Sequence, residues 1–493
     1  MMKSFSAPTN GWNARDSLDS MKSEDAVFLD NWFPDTGKCV LRNGHTSHAT
    51  ILGGHVETLA NYESGSTEKL IAAANGNIWD ATSLGAASSL GSGFTNNRWQ
   101  DFNMDGKLCL VNGADTPQQY NGSLSNLTIT GSGLTATSII FGHSFKSRSY
   151  FIMENSASFW YSSTNTLGGA TTEFDLSTIG NSGGKIMFMS TWSRDAGDGM
   201  DDFAVFVMST GDVIVYQGSN PGDAAAWALV GVYKTGNPLS RRAYIKVGGE
   251  LVLMTLDGFI PMSAIIQKGQ FAKGSVINDR IRNAVQNAAV NYSGNFGWDA
   301  IHYPRGNKVF FNIPIITNSD SHQYVYNTTT GAWCRYRDIQ ANCWALFNGN
   351  IFFGGNATVF QAENGFNDNG SDIQADAMPA FNYMGLRNSN KTFGGVMHTL
   401  ASEGDLPIET RIGVNFKTPN LDFNESNFSA TGSGWDDGVW DSAEWVGGDE
   451  IIERWISTLG YGYNATARLR ISTSNQSVSW YSTNYLYEKG GPI

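Results

Sequence analysis

The residues that could carry chemistry are few. One match to the Gly-x-Ser-x-Gly pattern of a nucleophile elbow occurs, at Gly180-Asn181-Ser182-Gly183-Gly184. An elbow needs a strand before the serine and a helix after it, whereas Lys185 to Trp192 alternates like a strand. Asp195, Asp198, Asp201 and Asp202 crowd one loop and could offer oxygen to Ca²⁺, but their spacing matches no calcium loop and reads as a solvated turn. Asn367-Asp368-Asn369-Gly370-Ser371-Asp372 comes nearer to such a loop and lacks its first acidic ligand and distal Glu. His45 and His48, three apart in a β context, point to opposite faces, and His55 lies further on, so no shared metal is expected. HExxH, Walker and CxxC patterns are absent, and nothing singles out an acid and base pair. The most unusual aromatics, Trp435, Trp440 and Trp445 in Trp-Asp-Asp-Gly-Val-Trp-Asp-Ser-Ala-Glu-Trp, read as anchors of a subunit interface. Such Trp beside Asp can also stack on sugars, the basis of an alternative reading as a glycan-binding or glycan-cleaving protein.

Composition limits what could position these groups. The chain has 493 residues, 41% hydrophobic and only 16% charged, with 56 glycines, the balance of many short strands and turns around a real core. A formal charge of −13 argues against nucleic-acid affinity, which needs clustered Lys and Arg. Cys39, Cys109, Cys334 and Cys343 are scattered and read as buried free thiols. Met1 to Asn10 has no leader pattern and no stretch reaches membrane-spanning length, so the expected place of synthesis is the cytosol.

From about residue 55 an apolar strand, a Gly-containing turn and a second strand recur. Clear cases are Lys69 to Trp79, Lys107 to Gly122, Tyr150 to Tyr161, Phe203 to Tyr216, Glu250 to Ile260 and Val309 to Tyr336, with a last hairpin from Ala345 to Phe360. Hairpins roughly 40 to 50 residues apart are the signature of a β-propeller. The fold expected is therefore mainly β: a propeller-like domain of about six blades over residues 46–370 and a C-terminal β-domain over 371–493. Residues 1–45 form an N-terminal arm, with a short helix capped by Ser23 and then the turn Pro34-Asp35-Thr36-Gly37 leading into a strand at Lys38 to Arg42. That strand is expected to pair late in the chain and help close the ring. One short helix is expected within Gly274 to Ala288, where Val276 or Ile277, Ile281, Ala284 or Val285, and Ala288 share a face and Arg280 and Arg282 point away from it into solvent.

The arm also resembles something specific. Trp12-Asn13-Ala14-Arg15-Asp16, Met21, Ala26, Leu29-Asp30-Asn31, Phe33-Pro34, Gly37 and Arg42-Asn43-Gly44 are similar to the N-terminal signature of the tail-tube proteins of short-tailed bacteriophages, the β-propeller subunit of the nozzle or hub. The likeness extends to Trp298, Tyr303-Pro304, Asn307, Tyr324 to Asn327, Thr330 to Trp333, Gly354-Gly355, Asp368 to Ile373 and Tyr487 to Pro492, in the family's order, over about half the chain. Residues 55 to 250 match only in general character.

The resemblance implies a structural virion protein of the phage tail, assembled in the host cytoplasm, without catalysis or cofactor. It implies a homo-oligomeric ring, usually a hexamer, below the portal and adaptor and beside tail fibres or spikes. DNA is retained by the tail and ejected through the ring's channel without specific binding, as an acidic wall favours.

Overall fold

The computed structural model describes residues 1–195, 200–268, 276–404, 406–421, 426–428 and 450–490. Seven sheets follow one another along the chain as blades. Blade 1 holds Thr58–Ser64, Thr67–Ala74, Asn77–Asp80 and Ser88–Ser92, and blade 2 runs from Gln100–Met104 to Leu124–Asn126. Blade 3 runs from Ile139–Phe145 to Gly169–Asp175, and blade 4 from Ile186–Asp195 to Trp227–Lys234. Blade 5 has three strands, Tyr244–Val247, Glu250–Thr255 and Gly258–Pro261, and blade 6 runs from Asp299–Tyr303 to Trp333–Tyr336. Blade 7 takes Cys343–Phe347, Asn350–Gly354 and Asn356–Ala362 from late in the chain and His45–His55 from its start. The first strands of successive blades touch one another around a bore, and that of blade 7 touches that of blade 1, so the ring is closed.

The hairpins show why the chain adopts this form. In Lys69-Leu-Ile-Ala-Ala-Ala74, Leu70, Ala72 and Ala74 pack toward blade 7 while Ile71 and Ala73 pack toward blade 2. A strand buried on both faces reads as a continuous apolar run rather than an alternation. In Lys107 to Val111 the same split occurs: Leu108 and Leu110 face blade 1, Cys109 and Val111 face blade 3. Asn75 and Gly76, both with positive φ, make the tight turn between the second and third strands of blade 1.

The remaining strands form a two-layer sandwich beside blades 6 and 7. One layer has the order Glu450–Gly462, Lys391–Ser402, Val478–Lys489, Lys38–Leu41 and Trp32–Asp35, with Met2–Ser6 also on Val478–Lys489. The other continues the sheet of blade 6 through Gly11–Trp12, Asp25–Asp30, Ile373–Pro379, Ala465–Thr473 and Leu406–Val414 to Ser426–Phe428. Trp32 and Trp480 meet between the layers, ring centroids 5.6 Å apart. One core runs from Phe259 and Phe311 in the propeller through Trp333 to Leu29, Leu400 and Leu469 in the sandwich. The N-terminal arm is thus built into both C-terminal layers.

Four expectations change in detail. The ring has seven blades, because the last hairpin is completed by His45–His55. That strand closes the ring through its antiparallel pairing with Asn356–Ala362. Lys38–Leu41 does pair with a late strand, Val40 with Ser479 and Cys39 with Trp480, but inside the sandwich. Residues 25–30 form a strand where a capped helix was expected: pairing of Leu29 with Ala377 and of Ala26 with Pro379 buries both apolar residues, and tertiary burial overrides the capping signal at Ser23. The helical stretch is a 3₁₀ turn, Asp279–Ile281, followed by an α-helix, Arg282–Tyr292, and a separate helix, Met262–Lys268, follows blade 5. Arg280 is not merely solvated: its guanidinium donates to Asp25 at 2.9 Å. Among the described residues no helix is long and apolar enough to cross a membrane.

Candidate functional site

The bore of the ring is the place where polar groups converge. Each blade's first strand starts at the same mouth, so residues at the starts of these strands meet there despite wide separation in sequence. Asp101 comes from blade 2, Arg242 and Tyr244 from the start of blade 5, Asp299 from blade 6 and Trp344 from blade 7. Together with His302 and Lys246 they line a cavity of about 430 Å³. A second cavity of about 340 Å³ lies at the mouth, walled by Arg98, Arg241, Arg242 and the Ser293 to Trp298 loop. Gln100 and Arg242 line both cavities.

Arg242 organises this region. Its guanidinium donates to the Glu57 carbonyl at 2.9 Å, to Thr58 Oγ1 at 2.8 Å and to the Trp99 carbonyl at 2.6 Å, tying blade 5 to blades 1 and 2 across the mouth. Phe296 lies between two cations, 4.2 Å from the Arg98 guanidinium and 5.5 Å from that of Arg242. Arg98 in turn donates to Glu57 Oε1. Asp299 accepts the amides of Ala300 at 2.9 Å and Trp344 at 3.3 Å, joining blades 6 and 7. Asp101 is open to the bore yet walled in by the surrounding blades.

Both carboxyls are pushed up to about 6. For Asp101, enclosure is the main cause, Arg242 opposes it and Asp299 adds to it; for Asp299, burial is again first, opposed by Arg242 and the two amides. Burial, with Lys246 nearby, lowers His143 to about 4, so that imidazole is neutral at pH 7. The site therefore combines a proton-exchanging carboxyl, hydrogen-bond acceptors for hydroxyls and fixed guanidinium donors. These groups can bind a polar ligand.

A consequence concerns stability. Because the folded value of Asp101 lies above the usual value near 4, the folded protein holds the extra proton between the two, and stability falls as pH rises through that window. Asp101→Asn is expected to raise the melting temperature at pH 7.5 and to leave it unchanged at pH 4. Solvent in the bore limits the gain to less than about 1 kcal/mol. Scanning calorimetry of both proteins at the two pH values checks this.

The sequence-level candidates lie elsewhere. Trp435, Trp440 and Trp445 fall outside the described residues. Of the Asp195 to Asp202 group, Asp202 accepts from Lys146 Nζ at 2.8 Å and Ser193 Oγ at 2.7 Å, and Asp198 is outside the described residues. Ser182 donates to Asp212 Oδ1 at 2.9 Å and accepts from Lys234 Nζ at 2.8 Å, while Lys234 also bonds Asp212. A strand, Ile186–Asp195, follows the serine where an elbow needs a helix, so an elbow is not formed. His45 Nδ1 lies 3.1 Å from Asp368 Oδ1. His48 Nε2 instead meets the Ala81 carbonyl. Asp101 and Asp299 were not singled out because they are almost 200 residues apart. The available signal was a tryptophan just ahead of the first strands of blades 2 and 6, in Trp99-Gln100-Asp101 and Trp298-Asp299.

No family model matches the chain, and no curated protein matches it. Among solved structures it is similar to Chaetomium thermophilum Raptor, at 13% identity and a TM-score of 0.40, over 66% of this chain and 29% of that one. The chain thus spans less than a third of Raptor's length. It is also similar to a putative 6-phosphogluconolactonase from Bacteroides fragilis, at 14% identity and a TM-score of 0.36, over 67% of this chain and 90% of that one.

Proposed function

We propose that this chain is a structural subunit of a phage tail, a component of the nozzle or hub ring through which DNA is retained and ejected, and that it has no catalytic role. The family reading rests on the ordered motifs given above. What they do physically supports it: pieces hundreds of residues apart meet at the seam between propeller and sandwich. Arg42 pairs with Asp368, Asn327 Nδ2 donates to the Pro34 carbonyl, Trp12 packs edge-on to Tyr324 at 5.1 Å, and Asp30 pairs with Arg335. A Cβ on Gly44 would stand 1.8 Å from the Asn367 carbonyl oxygen, and one on Gly11 would stand 2.4 Å from that of Trp333, so glycine is required at both. These contacts tie the sandwich to the propeller, which suits a load-bearing part.

The observation that carries the assembly is a row of apolar side chains on the strand that, among the described residues, forms the outer edge of one layer of the sandwich. On Glu450–Gly462, Ile451, Trp455, Leu459 and Tyr461 point one way and are 65%, 41%, 84% and 62% exposed. An exposed, long, hydrophobic edge strand is a template for pairing with another chain. A second exposed apolar edge, at Leu229 and Val230 on the outermost strand of blade 4, lies elsewhere on the molecule. Two different patches joining head to tail make a heterologous contact, which closes into a ring when the rotation allows. The duplex would pass through the space between subunits, since the bore within one propeller is far too small for it.

Mass photometry of the purified protein, alone and mixed with the portal and adaptor proteins of the same phage, tests this. Rings of about six subunits are expected; monomer alone under both conditions would sink the proposal.

A further inference from the structure

The mouth of the bore is unusual for so acidic a chain. Its cavity of about 340 Å³ is lined by three arginines and, among the described residues, by no carboxylate, although the chain carries 45 acidic residues against 32 basic ones. The volume is in the range of small-molecule sites. The three guanidinium groups differ in what neutralises them. Arg98 is paired with Glu57 at 3.1 Å, and Arg241 has only a long contact with the half-exposed Glu154, at 3.5 Å. Arg242 gives its hydrogen bonds to two carbonyls and a hydroxyl, with no carboxylate among their acceptors. The cavity is also apolar on one side, with Phe296, Trp298, Met187 and Leu239 in its wall. Gln100 and Arg242 line both this cavity and the bore, where the acceptors are the Asp101 and Asp299 carboxyls.

We infer that the mouth and bore together bind a small hydroxylated molecule carrying one oxyanion, of the size of a sugar phosphate or a uronic acid. The oxyanion sits among Arg98, Arg241 and Arg242, since guanidinium forks match carboxylate and phosphate oxygens. The hydroxyls point down the bore and donate to Asp101, whose carboxyl meets only its own backbone amide among the described residues, and to the outer lone pairs of Asp299. Met187 and the edge of the Phe296 ring border the apolar face of the sugar. A bare anion satisfies only the mouth, and a neutral sugar only the bore; a molecule with both parts satisfies each and displaces the water between them. This site is independent of the phage-tail reading and of any ring, because every residue in it belongs to one propeller.

Isothermal titration of the intact protein at constant ionic strength tests the inference, with four probes: glucose 6-phosphate, glucuronate, glucose and inorganic phosphate. One of the two anionic sugars is expected to bind at least tenfold more tightly than both glucose and phosphate, and the tighter of the two identifies the oxyanion. Arg241→Gln, whose side chain lies at the rim, is expected to weaken that sugar about tenfold and to leave the melting temperature unchanged. The inference is overturned if neither anionic sugar binds, if phosphate alone binds as tightly as the sugar, or if Arg241→Gln keeps full affinity. The probe panel on the unaltered protein decides the matter even if the variant folds poorly.

Discussion

Replacing Arg42 by Met is expected to destabilise the protein by about 3–5 kcal/mol, the usual loss when one partner of a buried ion pair is removed. Arg42 is 0% exposed. Its guanidinium makes two bonds to Asp368, at 2.8 and 2.5 Å, and others to Asn31 Oδ1 and to the carbonyls of Asn43 and Arg337. Methionine fills much of the space but satisfies none of these acceptors, and Asp368 is left as a buried charge. Close by, Lys308 bonds Glu363 and stands 4.6 Å from the Phe33 ring, so the pair is embedded in a larger ionic seam. Burial works against the Asp368 carboxylate, but His45 and Arg42 outweigh it and hold the group below its ordinary value. A lowered folded value means stability that is present above about pH 4 and lost as pH falls through the folded value. The deficit of Arg42→Met should therefore be largest at neutral pH and shrink toward pH 3. Urea denaturation at pH 7 and pH 3 measures both. Asp368→Asn combined with Arg42→Met should cost less than the two single changes added together, since the second change removes a charge that the first left unpaired.

That seam explains what the sequence could and could not disclose. The blades were legible because their cause is local: Asn75-Gly76 makes a turn by itself, and Leu70 to Ala74 announces a strand with two buried faces. Gly37, with φ of 75°, also turns the chain as expected, and Asp35 accepts the Thr36 amide at 2.8 Å. The strand at Asp25–Asp30 was hidden because its partner lies about 350 residues away, at Ile373–Pro379. Local capping at Ser23 pointed to a helix, and only the distant partner reverses that preference. Ring closure was hidden for the same reason: His45–His55, rich in His, Thr and Gly, has a weak strand pattern of its own and becomes the outer strand of blade 7 only beside Asn356–Ala362. The bore failed to show itself for a further reason. A propeller brings together one position from each blade, so its functional residues share a place in the repeat rather than a stretch of sequence, and Asp101, Arg242 and Asp299 carry no joint spacing. The motifs behind the proposed resemblance, by contrast, were visible because several of them meet at the seam, where a glycine with no room for a methyl group and a fully buried arginine leave the chain little choice of residue.

The largest functional effect is expected from charge placed on the two apolar edges. Trp455→Glu with Leu459→Glu puts two carboxylates on the exposed face of Glu450–Gly462, where both native side chains point outward, so the fold itself should be unaffected. Leu229→Glu with Val230→Glu does the same at the edge of blade 4. If subunits join head to tail through these patches, each double variant alone should remain monomeric in mass photometry under conditions where the native chain forms rings. The two contact modes separate when the variants are mixed. In a heterologous ring, the intact sandwich edge of one variant can still meet the intact blade 4 edge of the other, and that single contact yields a dimer that cannot grow. In an isologous contact, where the sandwich edge meets its own copy, the blade 4 variant would keep assembling alone and mixing would add nothing. A dimer from the mixture, with monomers from each part, therefore supports the ring and assigns its two faces at once. Persistence of rings in either variant removes that edge from the contact, and persistence in both rules out this pair of surfaces.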